Sequence, residues 1–193
     1  MDSETGVRRW QLWGGGGVMS AAILQAIGLV GYYLTSVRLP GLAVVIGSGF
    51  ALLAATALLL ALFTLALGTT RSNGIVGASL TGRIALIAGG VFILLARVTT
   101  LGFFVVGFPF AGGIATTTDA FELLAGITAA VASVVIWRSG IARGAARWSL
   151  ALAVAVAVVA ELASGYNGTL SWVLAVASVA SLGFAGLSYV RNR

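Results

Sequence analysis

Three charged residues interrupt otherwise apolar sequence, and any chemistry this chain performs would start from them: Arg97, Glu122 and Glu161. Arg97 stands fourteen residues after Arg83, and Glu161 fourteen after Arg147. At a helical rise of 1.5 Å per residue, both would lie roughly 21 Å from an arginine-marked boundary. Glu122 enters from the opposite side, near the start of its own apolar run. Gln25, sixteen residues after Arg9, reaches a comparable depth, and Thr99 and Thr100 adjoin Arg97. A charged side chain facing hydrocarbon costs on the order of 3 kcal/mol, so these groups are expected to turn inward and pair.

Two carboxylates and one guanidinium, with Gln25 hydrogen-bonding into them, have two readings. One is a ligand or proton site on a transport path. The other is a structural ion pair that fixes helix register, with Glu122 or Glu161 snorkelling to the interface. Matched depth makes Glu161 the expected partner of Arg97 and Glu122 the alternative. Carboxylates in unlike surroundings also suit general acid and base work, but no nucleophile stands beside a base. No catalytic residue is therefore assigned.

Composition removes several other chemistries. The chain has no cysteine and no histidine, so the usual ligands of zinc, haem and redox metals are missing, and neither a metal site nor a cofactor is expected. All 11 basic residues are arginine, which excludes a lysine nucleophile or Schiff base and hints at a GC-rich bacterial genome. The glycines Gly14 to Gly17 lack the Lys and Ser/Thr of a phosphate-binding loop, and read as close packing or a loosened helix start.

The elements that must position these residues are membrane helices. Of 193 residues, 60% are hydrophobic and 8% charged, with mean hydropathy +1.08; a soluble domain carries about a quarter charged residues. Apolar runs long enough to span lie at 14–37, 42–67, 84–108, 120–137, 148–165 and 169–190. Turn-forming residues separate them: Leu39-Pro40-Gly41, Gly68 to Gly82, Pro109 to Thr118, Arg138 to Arg147 and Gly165 to Gly168. The expected fold is an all-α integral membrane protein, a compact bundle of six transmembrane helices in one polytopic domain over 1–193.

With the N-terminus inside, nine arginines fall in cytoplasmic segments, and only Arg38 in an outer loop. On that asymmetry both termini are expected in the cytoplasm, and the expected location is the plasma (inner) membrane. It also accounts for the net charge of +6 without nucleic acid as a partner; the lipid bilayer is the expected one. Trp10, Trp13, Trp137, Trp148 and Tyr189 would form the inner aromatic belt, and Tyr32, Tyr33, Tyr166 and Trp172 the outer. The apolar run after Arg8-Arg9 is too long for a signal peptide and has no convincing cleavage site, so the first helix is expected to be retained. Asn167-Gly168-Thr169 matches a glycosylation sequon but reads as a tight turn.

Arg9 to Gly15-Gly16 and Arg83 to Gly89-Gly90 share the pattern R-x-x-L-x-x-G-G, and Arg147-Trp-Ser-Leu150 repeats its start. Three tandem helical hairpins would produce this, as would any three hairpins built from the same few residue types. Small residues mark expected packing faces: Gly47, Ala51 and Ala55; Glu122, Gly126, Ala129 and Ser133 with Asp119; and Ser171, Ser178, Ser181, Ala185 and Ser188.

Three functions remain open. The first is a non-catalytic subunit or assembly partner in a membrane complex, bound to another membrane protein. The second is small-solute binding or transport through the Arg/Glu cluster, and the third an intramembrane enzyme. In size and six-helix layout the chain is similar to the substrate-binding subunits of energy-coupling-factor transporters, with Ala22-x-x-x-Ala26 spaced like their coupling motif. That resemblance implies the second reading.

Overall fold

The computed structural model describes residues 3–68, 74–106, 111–162 and 168–191, and among these every regular element is a helix. The elements are α1 (Ser3–Ser36), α2 (Pro40–Leu67), α3 (Leu80–Val106), α4 (Ala111–Ser139), α5 (Ala146–Leu162) and α6 (Gly168–Val190). Five contain stretches long and apolar enough to cross a membrane: Gln11–Ser36, Pro40–Leu67, Leu80–Gly102, Thr117–Ser139 and Trp172–Val190. The chain is thus a membrane-embedded helical bundle. The fifth expected span is shorter, with apolar helix over Ala146–Ala160, and 163–165 lie outside the described residues.

Helix boundaries follow local chemistry. Pro40 opens α2, where its missing N–H costs no hydrogen bond. Gly68 closes α2 at φ 69°, donating its N–H to the Thr64 carbonyl. Hydroxyls inside the apolar stretches satisfy themselves on the preceding turn, as Ser48 does on Val44, Thr128 on Leu124 and Ser178 on Leu174. Pro109 to Thr118 was expected to be a turn, yet α4 is already helical from Ala111. The apolar run expected at 14–37 matches the spanning stretch Gln11–Ser36, while the helix that carries it begins earlier, at Ser3. Hydropathy finds the apolar part of a helix, whereas backbone hydrogen bonding carries the helix on through Gly- and Thr-rich or charged turns.

The helices form a ring. Among the described residues each packs on its chain neighbours, and α1 closes on α6. Six is an even number, so helices alternating in direction meet antiparallel at the closing seam as well. Tyr33 stacks edge-on against Trp172 at one end of that seam, with ring centroids 5.2 Å apart, and Gly15 lies against Gly186 at the other.

Packing is densest at the arginine-rich end. The core there joins Val18, Leu62, Leu65, Leu86, Ile136 and Tyr189 with smaller residues around them. Its centre is the α2–α3 connection, whose Ile75 and Val76 are fully buried. Ile75 donates its N–H to the Leu65 carbonyl and accepts from the Ser139 hydroxyl at 3.0 Å, while Arg83 donates to the Gly77 carbonyl. A connecting segment buried this deeply must place its backbone polar groups, and these bonds do so. Tyr189, expected in the aromatic belt, belongs to this core; Trp13, Trp137 and Trp148 are exposed beside it.

The glycines Gly14 to Gly17 are packing residues in continuous helix. A Cβ on Gly14 would fall 2.6 Å from the Leu65 side chain, on Gly17 2.8 Å from Ala61, and on Gly15 2.8 Å from the Gly186 carbonyl. Two neighbours, α2 and α6, therefore sit against opposite sides of one glycine run. Such close approach is how helices associate where burial from water gives no driving force.

Candidate functional site

Arg97 and Glu122 meet in the seam between α3 and α4. Arg97 Nη1 lies 3.2 Å from Glu122 Oε1, with 37% of the arginine side chain and 22% of the glutamate side chain exposed. Both residues belong to membrane-crossing stretches, Leu80–Gly102 and Thr117–Ser139. Each is five residues in from the end, or about 7.5 Å.

The seam is a ladder of matched pairs that fixes this meeting. From the arginine-rich end outward, Gly89 packs near Thr128. Phe92 then stacks on Phe121 with ring centroids 6.3 Å apart, followed by the ion pair, and by Thr99 and Thr118 with hydroxyls 2.9 Å apart. Antiparallel register demands that residue numbers across such a seam sum to a near-constant value, and these pairs obey it. Thr99 was noted in the sequence only as a neighbour of Arg97; its partner Thr118 carried no signal, because a threonine among threonines looks like any helix start.

The other expected members of the cluster are placed differently. Glu161 was favoured as the partner of Arg97, but the structure pairs Arg97 with Glu122. The ring explains why: α3 packs on α2 and α4, and α4 stands between it and α5. Equal depth does not make two helices adjacent. The Glu161 side chain lies outside the described residues. Gln25 is half-buried on α1, which packs on α2 and α6 rather than on α3 or α4, so it does not join the pair.

On α4 the buried stripe runs through Ala125, Ala132, Ser133 and Ile136. Ser133 thus faces inward as its spacing implied, with Glu122 and Ala129 half-buried, while Gly126 has open space where a Cβ would stand. On α6, Ser181, Ala185 and Ser188 are buried. Ala22 of the Ala22-x-x-x-Ala26 pair is 5% exposed and faces Gly183 of α6. It is spent on internal packing and offers no outward coupling face.

Among the described residues no group of His, Cys, Asp and Glu is arranged to hold a metal ion. The pair joins two helices, and its exposed part presents one cation and one anion to whatever lies against the seam. The chain matches no protein-family model, no curated protein and no solved structure.

Proposed function

We propose that this protein is a small non-catalytic polytopic subunit, or assembly partner, in a membrane complex of a bacterial plasma membrane. The observation that carries the reading is the incomplete cover over Arg97 and Glu122. An ion pair inside a membrane-crossing stretch is stable when its remaining polar atoms are shielded from hydrocarbon, and here a third of the arginine side chain is left open by its own chain. A second membrane protein seated on the α3/α4 face supplies that cover. Short sequence between the helices leaves no room for a separate catalytic domain, which favours a scaffold over a catalyst. The nine-to-one arginine split supports cytoplasmic termini, and the shared R-x-x-L-x-x-G-G pattern supports descent from tandem hairpins.

A second reading, binding or transport of a small solute, draws on the same exposed pair and the Thr99–Thr118 hydroxyls beside it. Extraction in a mild detergent, followed by native mass measurement, separates the two. A stoichiometric complex well above 19.5 kDa that dissociates when Arg97 and Glu122 are both replaced by leucine supports the subunit. A monomer whose melting temperature rises with a small solute, and no longer rises in that double variant, contradicts it in favour of the solute site.

A further inference from the structure

Two open grooves lie on the flank of the α3/α4 hairpin and join end to end. The first, about 680 Å³, sits at the arginine-rich end and is edged by Gly77, Ser79, Thr81, Arg138 and Ser139. The second, about 260 Å³, continues from Thr81 along the seam between Ile84, Ala88, Ile127 and Val131. The two share Thr81, and the second runs seven residues up α3 to Ala88, or about 10 Å. One groove is polar at its rim and the other almost wholly apolar.

We propose that this double groove is a binding site for one anionic glycerophospholipid, its phosphate in the arginine-edged groove and an acyl chain in the apolar seam. The positive charge at the groove comes from Arg138. Arg147 is committed to the Trp137 carbonyl through two hydrogen bonds and lies over the Trp137 ring, and Arg83 is committed to the Gly77 carbonyl. Arg138 is exposed at the groove edge, and no hydrogen bond or ion pair holds it among the described residues. On the hairpin itself the described acids, Asp119 and Glu122, lie toward the far end of α4, and Glu4 stands on α1, which packs on α2 and α6 rather than on α3 or α4. Surplus positive charge beside hydroxyls at a membrane boundary selects an anionic headgroup.

Alanines at 85 and 88 leave the seam hollow, while Ile84, Ile127 and Val131 stand exposed as its walls. Seven residues of apolar channel contribute nothing to holding a free phosphate ion, but they lie where the chain of a lipid anchored at Arg138 must run. In the orientation proposed above the site faces the cytoplasmic leaflet, but the site itself does not depend on that orientation.

Native mass spectrometry of the delipidated protein in detergent tests this, with phosphatidylglycerol, phosphatidylcholine and inorganic phosphate as separate probes. Phosphatidylglycerol should be retained over phosphatidylcholine, and Arg138→Gln should lower its occupancy roughly tenfold. Arg138→Lys should restore most of it. Arg143→Gln, an exposed arginine outside the groove, should leave binding unchanged, and Ala88→Leu, which fills the seam, should weaken both lipids. Equal retention of the two lipids would overturn the headgroup assignment, as would equal losses from Arg138→Gln and Arg143→Gln. Unaltered lipid binding by Ala88→Leu would overturn the acyl-chain seat, and inorganic phosphate competing lipid away at equal concentration would reduce the site to a phosphate-binding patch. A circular dichroism melt of each variant verifies that the fold is intact.

Discussion

Arg97 and Glu122 hold one another across the α3/α4 seam, and removing one charge leaves the other facing an apolar medium alone. Breaking a fully buried pair costs about 3 to 5 kcal/mol, whereas replacing both partners by apolar residues can be nearly neutral. This pair is partly open, so Arg97→Leu should cost less, about 1 to 3 kcal/mol, and adding Glu122→Leu should return much of the loss. A double-mutant cycle read by melting in detergent measures the coupling; strict additivity would mean that the two charges do not interact. Arg97 was legible in the sequence because a charge among apolar residues must be explained. Both candidate partners, Glu161 and Glu122, were legible too, but the choice between them was not, since depth along a helix is readable from spacing but the order of helices around a ring is not. A second residue tests the plug at the arginine-rich end. A Cβ on Gly74 would collide with the Leu65 carbonyl and lie 2.6 Å from that of Ala66, both backbone atoms that cannot swing aside. Gly74→Ala should therefore destabilise by about 1 to 3 kcal/mol, seen as a lower melting temperature with the helical signal at low temperature retained.

At the scale of elements, α1 shows how one helix serves two neighbours. Gly15 abuts α6, Gly14 and Gly17 abut α2, and Gly16 has open space where a Cβ would stand. Gly15→Ala should cost about 1 to 3 kcal/mol because it meets the Gly186 carbonyl. Gly16→Ala should be neutral or stabilise by up to about 1 kcal/mol, since alanine is the better helix former and nothing obstructs it. Thermal melts of the two single variants decide the matter, and similar losses in both would contradict the seating of α1 described here. The six apolar elements were plain in the sequence because runs that sit in lipid must be long and nearly free of charge, and five of the six prove long enough to span. Their ends were not, as the helical starts of α1 and α4 show, because nothing in hydropathy reports where a helix stops outside the apolar layer. The α2–α3 connection was read only as a turn. Its Ile75 and Val76 gave the sole hint that part of it is buried, and two apolar residues in a loop are too few to interpret.

The whole molecule is a ring of six antiparallel neighbours, packed tightly at its arginine-rich end and carrying a half-covered ion pair toward the other. Its orientation can be tested directly because the chain has no cysteine. Arg38→Cys, in the turn after α1, should react with a membrane-impermeant maleimide from outside intact cells; Arg143→Cys, between α4 and α5, should react only after permeabilisation. The reverse pattern would invert the topology. If another protein covers the Arg97–Glu122 face, a photoreactive amino acid at Val98 or Leu123, both exposed beside the pair, will capture it. In native membranes these two positions should crosslink to the same single protein species, identified by mass spectrometry, while the equally exposed Leu60 on α2 should crosslink to lipid. Lipid adducts alone from all three positions would contradict the account.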